Sequence, residues 1–600
     1  MGLRPRDDKV HLYSQYAELR PRKNCEKAGP AGRGTFAMNE KWKENNIFRP
    51  MVYPELEKAK HSFFRMNQET ILDIVRRNSD TEYGRKHHFS EVQTLSDYDR
   101  LVPVCKYADL QEYMDRIISG EKDILFTGNL YAFAETSGST QKRKHIPESE
   151  EAMKQYGNIV DRFPAAFARD HQGKRFFLSF LQSDLSLPHQ ETDSSVFSSI
   201  YYRYLADHGL MDLTTWVGEG PLNFFPEPCD YLYAKLWLAF ASEDIITMET
   251  IFLYDYLLFF HYMESHFREV LKDMEQGRPS EQVDLPESVR EALSRLPVSK
   301  ARLDHIREVC ADGFKGIVPR LWPNVQMIGG IVSNAFKVEE LSFQRYIGKD
   351  HIPLWAYIYA ASECLSAVPY NFDSYDYIFY PNMGGYEFRS VSDQKIYPPE
   401  ELRIGEMYEL ILTSHAGLYR YSMGDILRIV GFYGQLPIFR FLFRKNLVLN
   451  IAGEKLDIET LDRAVRHWSE EQGVRIWQYF FYEDRSVVPS RYSGILAPDT
   501  GQSVPGTPPA GINDSSTGYG YRGMRGDEML RYDAEALDRC LQRLSEDYRE
   551  LRQLGSIDMP VIRYMEKDAF LRYKEELSLS TGQAKPQHIW RAEANENKEY

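Results

Sequence analysis

The stretch Glu135-Thr136-Ser137-Gly138-Ser139-Thr140-Gln141-Lys142-Arg143-Lys144-His145-Ile146-Pro147 is the densest chemistry in this chain of 600 residues. Four small hydroxyl residues flank Gly138, Lys142 and Lys144 follow, and Pro147 closes the segment. Hydroxyls and unhindered backbone N–H groups form a concave donor surface, and the lysines add positive charge. Together they make a cradle for a polyphosphate. The common ATPase loop needs a second glycine and a Lys-Ser/Thr pair, and the fifth residue after Gly138 is Arg143. A Ser/Thr/Lys run also makes an ordinary solvated turn, so segments elsewhere in the chain must decide between the two.

Bulk composition narrows the function classes. Basic residues number 73 and acidic residues 88, a formal charge of −15. That balance disfavours general nucleic-acid binding and adhesion to anionic membranes, so any phosphate chemistry rests on local basic clusters. Hydrophobic residues at 43% can fill large cores, and the 40 Tyr and 33 Phe predict aromatic-lined pockets. A chain this long suggests roughly three to four domain equivalents. Cys25, Cys105, Cys229, Cys310, Cys364 and Cys540 lie far apart, without the spacing of a zinc site or a redox dithiol. Free thiols in a reducing cytoplasm are expected. Residues 1–37 contain no apolar signal core, and Met38 is an alternative start. Residues 1–47 are expected to be a disordered extension. The longest apolar run, Ile251–Met263, is interrupted by Asp255 and His261 and is shorter than the roughly 20 residues that span a bilayer. A soluble monomer without nucleic-acid or membrane partners is the expectation.

The spacing of Leu56, Phe63, Ile71 and Val75 predicts helix over residues 54–76. Residues 123–134 read as a strand leading into the Ser/Thr/Lys loop. Residues 230–275 read as a long helical region, apolar on nearly every face at 250–263, which marks a buried helix or the wall of an apolar pocket. Short aromatic strands are predicted at 354–359, 377–380, 409–413 and 439–448. Past Asp457, Ile458, Leu461, Val465 and Trp468 predict an amphipathic helix. Residues 497–526, rich in Pro, Gly, Ser and Thr, read as a mobile loop. Its Gly518-Tyr519-Gly520-Tyr521-Arg522-Gly523 matches a dinucleotide fingerprint without the strand and helix that motif needs. A second amphipathic helix is predicted over 534–551.

Two more segments carry chemistry. Tyr359-Ala360-Ala361-Ser362-Glu363-Cys364 places one carboxylate in a turn of small residues, where it either holds Mg²⁺ against phosphate or merely starts a helix. In Gly417-Leu418-Tyr419-Arg420-Tyr421-Ser422-Met423-Gly424-Asp425, alternation puts Arg420 and Ser422 on one strand face. Asp425 then follows a tight turn, able to grip a ribose diol or simply to satisfy turn N–H groups.

In order and spacing these three segments resemble the nucleotide-binding motifs of the auxin-responsive Gretchen Hagen family of acyl-acid amido synthetases, relatives of firefly luciferase among adenylate-forming enzymes. The likeness continues through Tyr377–Phe388, Gly431-Phe432 and Phe439–Asn446, and ends at Gly582-Gln583-Ala584-Lys585-Pro586, covering residues 48–590. Gln141 stands where the family has glycine, and Ser422 where it has arginine.

The resemblance implies an α/β (mixed α+β) fold with a large N-terminal ATP- and acyl-binding domain, residues 48–443. A small mobile C-terminal lid, residues 444–600, would follow. It implies an ATP- and Mg²⁺-dependent ligase that adenylates a carboxylic acid and passes the acyl group to an amine, typically an amino acid. Thr136, Ser137, Gly138, Ser139 and Thr140 would hold the phosphates, with Lys144 adding charge. Glu363 would anchor Mg²⁺ and Asp425 the ribose, while Tyr359, Ser362, Arg420 and Arg444 complete the nucleotide contacts. Arg420 stands two residues before the missing arginine, and Arg444–Asn446 is the hinge candidate. Lys585 would swing in with the lid as a catalytic charge. Two alternatives stay open: a coenzyme A thioester ligase, and a degenerate nucleotide-binding protein without catalysis.

Overall fold

The computed structural model describes residues 52–136, 144–181, 194–218, 220–226, 229–331, 343–348, 352–372, 375–445, 448–449, 451, 456–484, 487–499, 526–554, 556–565, 570 and 589–590. Residues 1–47, Ser137, Gly138, Ser139, Thr140, Gln141, most of the loop 497–526 and Lys585 lie outside them. The fold is a mixture of helices and sheets, as expected.

Four parallel strands form one sheet in the order Lys174–Phe177, Ile245–Phe252, Met327–Ile331, Leu354–Ala356. The second of these corrects the prediction of continuous helix over 230–275. Helix Tyr231–Ala241 ends at Ser242, and helix Leu253–Gln276 begins only after the strand. The intervening Ile245, Ile246, Thr247, Thr250 and Ile251 are β-branched, stiff side chains that pack well on a pleated surface. A strand buried on both faces carries apolar residues without alternation and so imitates a buried helix.

An arginine lies inside this sheet. Arg175 donates through Nε and Nη2 to Glu249 at 2.9 and 2.8 Å and through Nη1 to Asp161 at 2.6 Å. Side-chain exposures are 0% for Arg175 and Glu249 and 2% for Asp161. Thr247 adds a bond to Glu249, and the Trp216 ring covers the guanidinium at 5.2 Å. The triad ties helix Ile159–His171 to two neighbouring strands.

Leaving the parallel sheet at Ala356, the chain passes through Tyr357 and Ile358. It then re-enters at Tyr359–Ala361 as the edge of an eight-stranded antiparallel sheet. The predicted strand 354–359 is therefore two strands in two sheets. From that edge the order is Tyr359–Ala361, Cys364–Pro369, Asp376–Phe379, Leu436–Arg444, Tyr421–Tyr433, Met407–Ser414, Gly384–Ser390, Ile396–Tyr397. Helix Phe63–Arg77 lies on this sheet so closely that a Cβ on Gly385 would meet Ile71 at 2.1 Å. Within it, Asn67 exchanges two hydrogen bonds with the Tyr386 backbone at 3.0 and 2.8 Å. The predicted helix 54–76 is broken at 60–62, where the Lys60 carbonyl turns outward to accept the Gln435 N–H at 2.8 Å.

A third sheet holds the hairpin Leu130–Thr136 and Lys144–Ser149, with Ser194–Val196 parallel to its first strand. Residues 123–129 precede that strand rather than join it. Asp123 and Gly128 take positive φ, and the Asp123 and Ile124 carbonyls accept from Glu82 and Tyr83. The last sheet runs Val561–Tyr564, Arg491–Pro498, Ile476–Asp484, Ile589–Trp590. Helix Ile458–Gln472 covers it as its periodicity predicted, burying Leu461, Val465 and Trp468. The helix predicted at 534–551 is two helices, Gly526–Leu544 and Glu546–Gln553, because Ser545 caps the second by accepting the Tyr548 N–H. Trp477, Phe480 and Phe570 of this region join the apolar cluster around helix Leu253–Gln276. No helix among the described residues is long and apolar enough to cross a membrane.

Breaking a buried pair by removing one partner leaves an uncompensated charge, at a cost of about 3–5 kcal/mol. Arg175→Met is expected to lower the thermal unfolding temperature of the main body by several degrees. An unchanged melting curve would show that the triad contributes nothing to stability.

Candidate nucleotide site

The hairpin closes with Thr136 paired to Lys144, so the Ser/Thr/Lys loop leaves and re-enters the fold between these two residues. Lys144 is half-buried, with its Nζ 5.3 Å from the Tyr107 ring centre. Burial pushes the Lys144 pKa below the ordinary lysine value. The nearby positive charge of Arg444 pushes the same way, while Glu363 opposes.

Glu363 stands at a two-residue turn with Ser362 between strands Tyr359–Ala361 and Cys364–Pro369, and the residue is 7% exposed. The small Ala360 and Ala361 before it keep that edge open. Tyr359, at the start of the same strand, donates its phenol to Asp425 Oδ2 at 2.6 Å. Burial and the Asp425 charge both drive the Tyr359 pKa far up, so it remains a donor.

Asp425 follows Gly424, whose φ of +74° only glycine adopts freely, inside strand Tyr421–Tyr433. Across the sheet Asp425 faces Arg444, which donates through Nε at 2.6 Å and Nη2 at 3.1 Å. The Asp425 charge holds Arg444 above the usual guanidinium value. The Asp425 side chain is 2% exposed and that of Arg444 36%, so the guanidinium is the more accessible part of the pair. Among the described residues, Glu363 and Arg444 thus stand within electrostatic reach of each other and of both Lys144 and Tyr359, and Asp425 of Tyr359 and Arg444. Ser362 shares the Glu363 turn.

Arg420 is not part of this group. With a φ of +46° it precedes the strand, and its guanidinium donates to Glu387 at 3.1 Å and to the Asp99 and Val102 carbonyls at 3.1 and 3.0 Å. Asp99 pairs with it at 2.6 Å. Ser422 instead donates to Glu409, a buried carboxylate that also accepts from Lys445 at 2.7 Å and Arg389 at 3.1 Å. Alternation along an ideal strand had placed Arg420 and Ser422 together. The left-handed residue and the brackets Cys105 N–H to Arg420 and Ser422 N–H to Cys105 separate them.

Two neighbours of Glu363 were not picked out from the sequence. Tyr421 is buried and feels both Glu363 and Arg444. Glu148 is 0% exposed on the hairpin's second strand, and neither carboxylate oxygen has a hydrogen-bond partner. Burial first, and Glu363 second, push its pKa well up. Alternation puts Lys144, Ile146 and Glu148 on one face. That signal was readable, but Glu148 opens the acidic run Glu148-Ser149-Glu150-Glu151, which looks like a helix start.

The described residues form no group of three or more His, Cys, Asp or Glu side chains placed to hold a metal ion. Mg²⁺ needs only one or two carboxylates, with phosphate and water oxygens for the rest. A little-exposed Glu363 beside the orphaned oxygens of Glu148 fits that demand.

Residues 52–352 match the GH3 family N-terminal domain, 377–444 its central domain and 459–594 its C-terminal domain. The chain belongs to the GH3 family. Among its relatives is the probable indole-3-acetic acid-amido synthetase GH3.1 of Arabidopsis thaliana. The two are 28% identical over 477 residues, 75% of this chain and 80% of that protein. The indole-3-acetic acid-amido synthetase GH3.8 of Oryza sativa subsp. indica is 28% identical over 451 residues, 71% of this chain and 74% of its own. The solved GH3.15 acyl acid amido synthetase superposes with a TM-score of 0.76 at 21% identity, over 89% of this chain and 92% of that one. The fold is that of the GH3 family.

A lysine with a depressed pKa is more often neutral at a given pH and so a faster nucleophile. In trace acetylation near pH 8, Lys144 should label faster than the exposed lysines of the same GH3 protein. Arg444→Met should raise the Lys144 pKa and slow labelling, and Glu363→Gln should lower it and speed labelling. Labelling at surface rates in all three proteins would refute this electrostatic assignment.

Proposed function

We propose that this chain is an ATP-dependent acyl-acid amido synthetase that joins a carboxylic acid to an amine, an amino acid in the first instance. GH3 membership supports the reaction class. The observation that carries the site is the convergence of Lys144, Glu363, Arg444 and Asp425, drawn from distant parts of the sequence, at the open end of the hairpin.

In the first half-reaction a carboxylate oxygen of the acid attacks the α-phosphorus of ATP, and the P–O bond to pyrophosphate breaks. Catalysis of such a step is mainly positioning and charge neutralisation. Lys144, protonated once phosphate is beside it, lies against the phosphates. Thr136, Ser137, Gly138, Ser139 and Thr140 supply hydroxyl and N–H donors. Glu363 holds Mg²⁺, which neutralises phosphate charge. Asp425 has roughly four lone-pair positions and spends three on Tyr359 and Arg444, leaving one for a ribose hydroxyl. Arg444 faces the nucleotide from the same pair, and Ser362 lines the turn. In the second half-reaction the amine nitrogen attacks the acyl carbon, the C–O bond to AMP breaks, and the nitrogen loses its extra proton.

The mixed anhydride is prone to hydrolysis, so the site must shut out water between the steps. We assign that to the C-terminal region, 444–600, turning about Arg444–Asn446 and bringing Lys585 to the α-phosphate. The five described cysteines are free thiols, which suits the cytoplasmic location proposed for the enzyme. A monomer suffices for this chemistry.

With a suitable acid and Mg²⁺, isotope exchange between pyrophosphate and ATP should appear, and Glu363→Ala or Asp425→Ala should slow it about 10²–10³-fold. Addition of amino acids should yield an acyl-amino acid and AMP by mass spectrometry. Exchange at the parent rate in both variants would sink the site assignment, and a coenzyme A thioester in place of the amide would sink the amine half of the reading.

Lys585→Ala tests the lid separately. Its loss should slow adenylation roughly ten- to a hundredfold while sparing conjugation from pre-formed acyl-adenylate. Equal effects on both half-reactions would remove Lys585 from the mechanism.

A further inference from the structure

Glu148 has no explanation in packing alone. It is fully buried, yet both carboxylate oxygens lack a hydrogen-bond partner. Most buried side-chain polar groups in folded proteins have one, and buried charges are paired or bind a metal. Two further orphans lie in the same region. The Tyr156 hydroxyl and Ser366 Oγ are both buried with no well-formed hydrogen bond, their nearest polar neighbour being the weakly bonding Cys364 thiol, the residue after Glu363. Tyr156 also lies within electrostatic reach of Glu148. Glu363 in turn acts electrostatically on both Glu148 and Lys144, which alternation puts on one face of the same strand. Two carboxylates thus lie within electrostatic reach of each other, one of them with both oxygens orphaned and with two orphaned hydroxyls in the same region. Elsewhere the fold gives each buried acid described above its donors: Arg175 for Glu249 and Asp161, Arg444 and Tyr359 for Asp425, and Lys445, Ser422 and Arg389 for Glu409.

We propose that Glu148 is a second carboxylate ligand of the divalent cation that Glu363 takes up, with the Tyr156 hydroxyl and Ser366 Oγ accepting hydrogen bonds from that cation's water ligands. This rests on the reading of Glu363 as a metal anchor. Two carboxylates, waters and nucleotide phosphate make a normal oxygen shell for Mg²⁺. The arrangement also explains why a glutamate, costly to bury alone, occupies an inward strand position that a leucine or glutamine would fill more cheaply.

Binding of Mn²⁺ alone to the free protein, followed by electron paramagnetic resonance and water proton relaxation, tests the assignment without any turnover. Glu148→Gln keeps shape and removes charge, and it should weaken Mn²⁺ binding about tenfold or more, as should Glu363→Gln. Weakening in Glu363→Gln but not in Glu148→Gln overturns the role of Glu148 and leaves Glu363 standing. Unchanged affinity in both overturns the two together. Should Glu148→Gln fail to fold, Fe²⁺ with ascorbate and peroxide can be applied to the unmutated protein. Backbone cleavage near both 148 and 363 supports the shared site, and cleavage confined to 363, or at neither place, refutes it.

Discussion

Arg175 is the charge on which the parallel sheet is organised. Burying one guanidinium and two carboxylates costs several kcal/mol per ion in desolvation, and their attraction offsets it only when geometry and hydrogen bonding are complete. Here they are: the bidentate bond to Glu249, the single bond to Asp161, the Thr247 hydroxyl and the Trp216 face leave little of the charge unanswered. An apolar trio of similar volume would stabilise as well or better, so burial energy alone does not account for the triad. Its distinctive contribution is register, because only one alignment of helix Ile159–His171 and the two strands satisfies all three charges.

That register reaches the site through a short chain of contacts. The Tyr357 phenol, bonded to Tyr202, lies within the field of Glu249 and Arg175, just where the chain leaves the parallel sheet. Two residues later Tyr359 begins the antiparallel sheet and meets Asp425. Helix Ile159–His171 follows the hairpin that carries Lys144 and Glu148, separated from it only by helix Glu150–Tyr156. Lys144 and Asp425 therefore sit on different sheets joined at a defined point. A slip of one residue at Tyr357 would send Tyr359 to the opposite face and leave Asp425 with Arg444 alone.

Much of this was legible in sequence, and the failures share a cause. Glu363 in a turn of small residues and the helix at Ile458–Gln472 follow from local chemistry, and the structure has both. Family order supplied the fold because three motifs in sequence constrain it more than any one composition. The buried strand Ile245–Phe252 was read as helix because full burial erases the period that separates the two. Arg420 was misplaced because a single left-handed residue breaks alternation, and nothing about an arginine announces positive φ. Arg444 was legible as a motif residue, but its grip on Asp425 is a cross-strand pairing just past the positive-φ Gly424. Glu148 was hidden in an acidic run whose other acids are exposed, as Glu150 is, or half-buried, as Glu151 is. Partners distant in sequence are decided by packing, which a single chain read in order does not display.

The replacement of arginine by serine at 422 looks different once Glu409 is in view. A buried carboxylate beside an arginine would have its charge answered from the strand itself. With serine there, the hydroxyl gives one hydrogen bond, and the positive charge comes from Lys445 and Arg389. Lys445 follows Arg444 directly, and its N–H also holds the Gly424 carbonyl at 2.7 Å. Consecutive residues thus grip two acids of neighbouring strands, Arg444 on Asp425 and Lys445 on Glu409. Asp425 keeps its bidentate partner without any contribution from position 422, so the serine leaves the Asp425–Arg444 pair intact. Because Arg444 and Lys445 are adjacent, the Asp425 and Glu409 contacts are linked through the backbone of one peptide unit, so neither pair can shift without straining the other.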